Sequence, residues 1–186
     1  QAHFPWVAVE KDGQVHVWFS ELAEPDNADL LDRITKINVW TRSGMSEKQA
    51  LGGLSKQAAD GGGGALVAKA PSGTSAVSAA ISYGVLDRGG DRFRLEYHAK
   101  YLDGKAADFK ALARDEGLKF DLVPEKNDKA YDLTVLFDGK PAVGADVVIF
   151  DSTAAETKAT TDGKGHVSAP ITKPGLYSIR AKWVVK

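Results

Sequence analysis

The sequence predicts an all-β protein with two β-sandwich domains and one short helix near their junction. Apolar and polar residues alternate in several segments, most regularly in residues 15–19 and 92–102. This period of two is typical of strands that bury one face. Turn sequences such as Asp12-Gly13 and Asp138-Gly139 separate the segments, as expected between antiparallel strands.

A polar segment over residues 125–129 places the boundary between the two domains. The one convincing helix, over residues 106–116, lies shortly before it and has apolar residues at helical spacing. After the boundary, short strands and glycine-containing turns alternate over about 60 residues, which is the pattern of a small β-sandwich. We therefore predict an N-terminal domain over residues 1–124 and a C-terminal domain over residues 125–186.

A β-hairpin is predicted at the start of the chain. Residues 3–9 and 15–19 have strand character, and Asp12-Gly13 between them is a strong hairpin turn. The second strand alternates cleanly. We therefore expect His16 and Trp18 on the face opposite the three apolar residues that flank them.

Two further features are predicted before residue 65. Pro25-Asp26-Asn27 is expected to cap a short helix over residues 28–34. Residues 43–64 are interpreted as a long surface excursion that ends in the glycine run at residues 61–64. Four consecutive glycines have high conformational entropy and bury no side chain, so we expect this run to form a mobile turn.

Composition excludes several classes of protein. Lys and Arg total 24, Asp and Glu total 25, and the formal net charge is -1. This balance argues against nucleic-acid binding, which needs a basic surface. No apolar run is long enough to span a bilayer, so we predict a chain that is not membrane-spanning. The absence of cysteine excludes disulfides, thiolate metal sites and cysteine nucleophiles.

The first two residues, Gln1-Ala2, indicate an exported protein. Secretory signal peptides end in a small-x-small pattern. With an alanine before Gln1, cleavage would follow Ala2 and make His3 the first residue. Cleavage before Gln1 would instead give a chain that begins Gln-Ala-His, and an engineered truncation is the remaining alternative. We predict a periplasmic or extracellular location.

His3 is the main candidate for chemistry because it lies close to an apparent free amine. An amine, backbone amides and an imidazole form the nitrogen set suited to square-planar Cu(II) or Ni(II). With Gln1 at the terminus, the amine, two deprotonated amides and His3 would supply four nitrogens in a plane. With His3 at the terminus, its own amine and imidazole would need a second imidazole, for which His98 and His16 are the candidates. The alternative is an idle surface histidine.

Catalysis is not expected. The sequence contains no nucleophile elbow and no paired carboxylates recognisable by spacing. His16 and His98 each alternate with apolar residues, which is also typical of solvated histidines. Oxidative copper chemistry on polysaccharide would need an open flat site in addition to the histidines. The tryptophans, in particular Trp18 and Trp40, could line a sugar platform, although β-sandwich tryptophans more often fill a core.

The C-terminal part carries a series of motifs at turns and strands. They are Asp138-Gly139-Lys140-Pro141, Gly144-Ala145-Asp146-Val147, Thr160-Thr161-Asp162 with Gly165, and Gly175-Leu176-Tyr177. By these motifs, residues 131–186 resemble the transthyretin-like, carboxypeptidase-regulatory-like Ig modules, which are structural or binding units. The resemblance implies that the predicted sandwiches are Ig-like.

Three further motifs extend over the N-terminal part: Ala2-His3-Phe4-Pro5-Trp6, Tyr83-Gly84-Val85-Leu86 and the Leu-Glu-Tyr-His-Ala-Lys stretch that contains His98. With them, the whole chain resembles an exported bacterial family of undetermined function, often associated with nickel or cobalt uptake. The resemblance implies metal delivery or uptake beside a membrane transporter, and it favours His98 over His16 as a second ligand. The alternative function is a structural or carbohydrate-binding β-sandwich module without metal.

Overall fold

A computed structural model describes residues 2–58, 62–127, 131–169, 171 and 175–185. The described chain is all-β, as the alternating sequence predicted, and its short helical segments lie at Ala28–Ile34 and Phe109–Ala113. It divides into two compact units, Gln1–Leu112 and Ala113–Lys186. Within the ranges described, no helix has the length and apolar character needed to cross a membrane.

The first unit contains two antiparallel sheets. Its strands are β1 Phe4–Val9, β2 Gln14–Ser20, β3 Asp26–Asn27, β4 Asn38–Arg42, β5 Gln49–Ala50, β6 Ser55–Ala58, β7 Gly63–Lys69, β8 Ala76–Arg88 and β9 Asp91–Leu102. The first sheet has the order β1-β2-β7-β3, and β6 also pairs with β7. The second sheet has the order β5-β4-β8-β9.

Apolar residues of both sheets form one core in this unit. Val15, Val17 and Phe19 of β2 belong to it, together with Val77 of β8 and other buried residues. Trp18, which alternates with them, packs instead in a separate small cluster on the outer face of the first sheet. The predicted alternation of β2 is therefore confirmed.

The predicted hairpin at the start of the chain is also confirmed. β1 and β2 pair over their length, from Phe4 opposite Ser20 to Val9 opposite Val15. Asp12 Oδ1 accepts a hydrogen bond from the Gln14 backbone N–H at 2.9 Å, and this bond closes the turn.

The predicted capped helix is present as the 3₁₀ helix Ala28–Ile34. The side chain of Asn27 accepts a hydrogen bond from the Asp29 backbone N–H at 2.9 Å, as an N-cap residue should. Leu31 and Ile34 face inward and are buried in the core of the first unit.

The glycine run differs from its predicted role as a mobile turn. β7 begins at Gly63, and this start of the strand pairs with β3 and with β6. The prediction was wrong for Gly63 and Gly64, which are strand residues in a place where Pro25, Ala28 and Gln57 leave no room for a side chain. Residue 61 lies outside the described residues. The predicted surface excursion is confirmed over residues 43–58, which are mostly exposed, and it contains the two short strands β5 and β6.

The second unit contains a four-stranded and a three-stranded antiparallel sheet. Its strands are β10 Phe120–Lys126, β11 Tyr131–Phe137, β12 Lys140–Pro141, β13 Asp146–Phe150, β14 Glu156–Thr160, β15 His166–Ala169 and β16 Ser178–Lys182. β11 pairs with β10, β12 and β15, and β13 pairs with β14 and β16. Leu133, Val135 and Val167 from one sheet share a buried core with Val147 and Ile149 from the other.

The two units divide after residue 112, whereas the predicted domain boundary lies between residues 124 and 125. Strand β10 continues through that position and pairs with β11 along its length. Glu125 and Lys126, whose polarity indicated a junction, are exposed strand residues. The helix Phe109–Ala113, which we call α1, is shorter than the predicted helix over residues 106–116.

Candidate functional site

His3 lies immediately before β1, and its imidazole contacts Asp26 and Phe19. Nε2 is 3.3 Å from Oδ2 of Asp26, and the ring centroid is 5.8 Å from that of Phe19. The His3 side chain keeps 23% of its surface exposed. The imidazole is therefore held on one edge while part of its surface stays accessible.

Asp26 is presented to His3 by strand β3. This two-residue strand pairs with the start of β7, where Asp26 lies opposite Gly64. Asp26 Oδ1 accepts a hydrogen bond from the Asn27 backbone N–H at 2.7 Å. One carboxylate oxygen is thus used locally, and the other faces His3.

The contact with Asp26 favours one of the two neutral tautomers of the His3 imidazole. A carboxylate oxygen accepts hydrogen bonds and cannot donate one, so a carboxylate next to Nε2 favours the neutral form with hydrogen on Nε2. In that tautomer, Nδ1 carries the lone pair that metal binding requires. Nδ1 is also the ring nitrogen nearer to the backbone of His3.

Phe19, the aromatic ring next to His3, is one of four aromatic rings that pack together. Phe19 packs 5.9 Å from Tyr83 and 5.7 Å from Tyr97, and Phe4 meets Tyr97 at 6.3 Å, all between ring centroids. Burial raises the pKa of the Tyr97 phenol, and the nearby Tyr83 raises it further. These rings give His3 a stable apolar wall on the Phe19 side.

His16 belongs to a different surface. It alternates with the core-facing residues of β2, so it lies on the opposite face from Phe19. His16 and Phe19 are three residues apart, which is about 10 Å along a strand. Nε2 of His16 is shielded from solvent and lies 3.5 Å from Oδ2 of Asp12. Hydrogen bonds from the Gln14 backbone and side chain hold the pKa of Asp12 below its usual value.

His98 is also directed away from His3. It lies opposite Ala80 in the second sheet, between Tyr97 and Ala99, both of which belong to the core face. Strand alternation therefore places His98 on the outer face. The three predicted metal residues, His3, His16 and His98, are not brought together. In the part of the chain that the structure describes, no group of three or more His, Asp or Glu side chains could hold a metal ion.

The tryptophans offer limited open surface. Trp18 is only 7% exposed and packs in the small outer cluster of the first sheet. Trp40 carries the Lys48 ammonium 5.5 Å above its ring centroid. A shallow depression of about 430 Å³ lies beside Trp18. It is lined by Glu10, Lys11, Asp12, His16, Trp18 and Pro25.

Sequence reasoning identified His3 but did not connect it with Asp26. In the sequence, Asp26 belongs to an acidic stretch ahead of a helix, which is typical of a capping segment. Its position beside His3 depends on the pairing of β3 with β7, between residues separated by more than thirty positions. No local pattern indicates that pairing.

Comparisons with known proteins show a family match, and the description of that family gives no activity. A search of curated proteins gave no significant match. A family model described as a domain of unknown function, DUF4198, matches residues 1–185. Because this match extends over nearly the whole sequence, the chain belongs to the DUF4198 family.

Proposed function

We propose that this protein binds Cu(II) or Ni(II) through Nδ1 of His3 together with backbone nitrogens of the segment that precedes it. The observation that carries the proposal is the 3.3 Å contact between His3 Nε2 and Asp26 Oδ2. Metal-binding histidines commonly donate their second ring N–H to a carboxylate, which fixes the tautomer and raises the basicity of the ligating nitrogen.

The position of the available nitrogen supports a planar site. Nδ1 and the backbone nitrogen of one histidine can bind the same ion as a chelate. A plane of nitrogen ligands suits Cu(II) and Ni(II), whereas Zn(II) prefers a tetrahedral set. With Gln1 as the first residue, its amine and two amides would complete the plane; residue 1 lies outside the described residues. With His3 first, a second imidazole is needed, and neither His16 nor His98 faces it.

The proposed role is metal delivery or uptake beside a membrane transporter, in the periplasm or outside the cell. It is supported by the resemblance of the chain to an exported family associated with nickel or cobalt uptake. The exposed part of His3 is in keeping with an ion that must be taken up and released. No catalytic step is part of the proposal.

Calorimetric titration of the natively processed protein with Cu(II) and Ni(II) tests the proposal. We expect His3→Ala to abolish binding and Asp26→Asn to weaken it about 10–100-fold, the usual effect of losing a carboxylate behind a ligating histidine. His166→Ala is the control, because His166 is an exposed residue of the second unit. The mass of the natural protein, measured alongside, defines the first residue.

Undetectable binding by the natively processed protein would contradict the proposal, as would binding that survives His3→Ala. Loss of binding in His16→Ala or His98→Ala would instead favour the arrangement with two imidazoles. In that case the first sheet or the second would have to rearrange to bring the second ring to His3.

We also propose that each unit is an Ig-like β-sandwich. In the second unit, the four-stranded and three-stranded sheets share one core, and this number of strands is that of constant-type Ig domains. In the first unit, the two sheets likewise share one core. An experimental structure in which β11 and β13 do not face each other across that core would contradict the assignment for the second unit.

A second candidate function is a carbohydrate-binding module without metal. The depression beside Trp18 favours it, because polar side chains next to an aromatic ring are typical of sites for small polar ligands. A glycan array distinguishes the two functions. Glycan binding that survives His3→Ala and is lost in Trp18→Ala or Trp40→Ala would favour this candidate.

A further inference from the structure

The start of β7, which lies opposite Asp26, has no room for a side chain at Gly64. A Cβ built on Gly64 would lie 2.7 Å from Ala28 Cβ, 3.1 Å from Ala28 Cα and 3.1 Å from the Gln57 carbonyl oxygen. A Cβ on Gly63 would lie 3.2 Å from Pro25 Cβ. Neither glycine has a positive φ, so it is space, and not backbone conformation, that requires glycine here.

Two of the residues that a side chain here would meet belong to the segment that carries Asp26. Pro25 and Ala28 flank the two-residue strand β3, whose Asp26 is opposite Gly64 in the sheet. Gln57 belongs to β6, which also pairs with β7, so β7 cannot move toward β6 to make room. A side chain at residue 64 would therefore have to move β3 and the start of the 3₁₀ helix outward.

We propose that Gly64 is a positioning residue for the His3–Asp26 contact: by letting β3 lie directly against β7, it places Oδ2 of Asp26 3.3 Å from His3 Nε2. A displacement of β3 by a few tenths of an ångström is enough to stretch the 3.3 Å contact. The link from this contact to metal affinity rests on the proposed function; the positioning itself does not.

The positioning is tested in the metal-free protein by long-range ¹H–¹⁵N NMR of the His3 ring, which reports the nitrogen that carries hydrogen. We expect Nε2–H in the natural sequence. Asp26→Asn replaces a carboxylate oxygen with a neutral amide, and Gly64→Ala moves the carboxylate away from His3 Nε2. Both variants should shift His3 toward a mixture of tautomers.

Two further variants separate positioning from a general loss of structure. Gly104→Ala is the matched control, because a Cβ at Gly104 meets nothing within 4 Å and its φ is not positive. It should leave the His3 spectrum unchanged. Gly64→Ala combined with Ala28→Gly removes the 2.7 Å clash but not the two 3.1 Å contacts, so we expect partial recovery of the Nε2–H form.

The positioning role is overturned when Gly64→Ala leaves the His3 tautomer unchanged in a folded protein, or when the double variant recovers nothing. Titration of the same variants with Ni(II) and Cu(II) keeps the two proposals distinct. We expect about a 10-fold loss of affinity in Gly64→Ala. A tautomer that responds to Gly64→Ala in a protein that binds neither ion would refute the metal function and leave the positioning role standing.

Discussion

Asp162 organises the turn that precedes β15 through its carboxylate. Oδ1 accepts hydrogen bonds from the backbone N–H groups of Lys164 at 2.8 Å and His166 at 2.9 Å. The bond from His166 is the largest cause that lowers the pKa of Asp162, followed by the bond from Lys164. The ionised carboxylate is therefore favoured by the folded state, although the residue is exposed.

The lowered pKa predicts a pH dependence of stability. The contribution of Asp162 is present above the unfolded-state pKa of about 4 and is lost as the pH falls through the lower folded-state pKa. Asp162→Asn keeps an acceptor oxygen but does not titrate. We expect its urea unfolding midpoint to fall less between pH 4 and pH 2.5 than that of the natural protein.

Circular dichroism at each pH measures these midpoints. Asp146→Asn is the control, because Asp146 is an exposed strand residue outside any turn. An acid loss of stability that is as steep in Asp162→Asn as in the natural protein would show that the two hydrogen bonds do not couple folding to this ionisation.

At the scale of the element, the turn between β14 and β15 depends on one glycine. Gly165 has φ +75°, and a Cβ on it would lie 2.7 Å from the Val135 carbonyl oxygen and 3.1 Å from Pro141 Cα. Its own carbonyl accepts a hydrogen bond from the Val135 N–H at 2.8 Å. This is the place where the turn is joined to β11.

Gly165→Ala should destabilise the second unit by about 2 kcal/mol or more. A left-handed conformation costs a residue with a Cβ roughly 1–2 kcal/mol, and the clash with fixed backbone atoms adds to that cost. Gly163→Ala, in the same turn, is a close control because its Cβ meets nothing within 4 Å and its φ is not positive. Urea unfolding of both variants measures the difference, and equal losses would contradict the prediction.

Local sequence patterns predicted the elements that are stabilised by interactions between nearby residues. The alternation in β2, the Asp12-Gly13 turn and the cap at Asn27 depend on neighbours within a few residues, and all three are confirmed. The glycine run could not be interpreted in this way. A side chain at Gly64 would clash with Ala28 and Gln57. Ala28 is distant in the sequence, and only strand pairing brings it next to Gly64.

The candidate site also depends on a contact between distant segments, which local sequence patterns could not predict. His3 was recognisable because a histidine near an apparent chain start has a known coordination chemistry. Its imidazole contacts Asp26, which reaches it through a strand of only two residues. A two-residue strand has no periodicity that a sequence could display. The predicted partners, His16 and His98, are in strands with clear alternation, and that same alternation turns them away from the core face shared with Phe19.

At the scale of the whole molecule, each of the two units contains a core of its own. Val15, Ile34 and Val77 are fully buried in the core of the first unit. Leu133 and Val147 are buried to the same degree in that of the second. A cluster of buried contacts that is confined to one unit stabilises that unit directly.

Because each unit has its own core, we expect a core substitution to destabilise only the unit that contains it. Leu133→Ala removes a side chain that is 1% exposed and should cost about 2–5 kcal/mol. We expect faster hydrogen exchange of the β11 and β13 amides and unchanged exchange in β2 and β8. Ile34→Ala should have the reverse effect. Leu176→Ala is the control, because Leu176 is 68% exposed. Exchange that rises in both units after either core substitution would mean that the chain unfolds as one cooperative block.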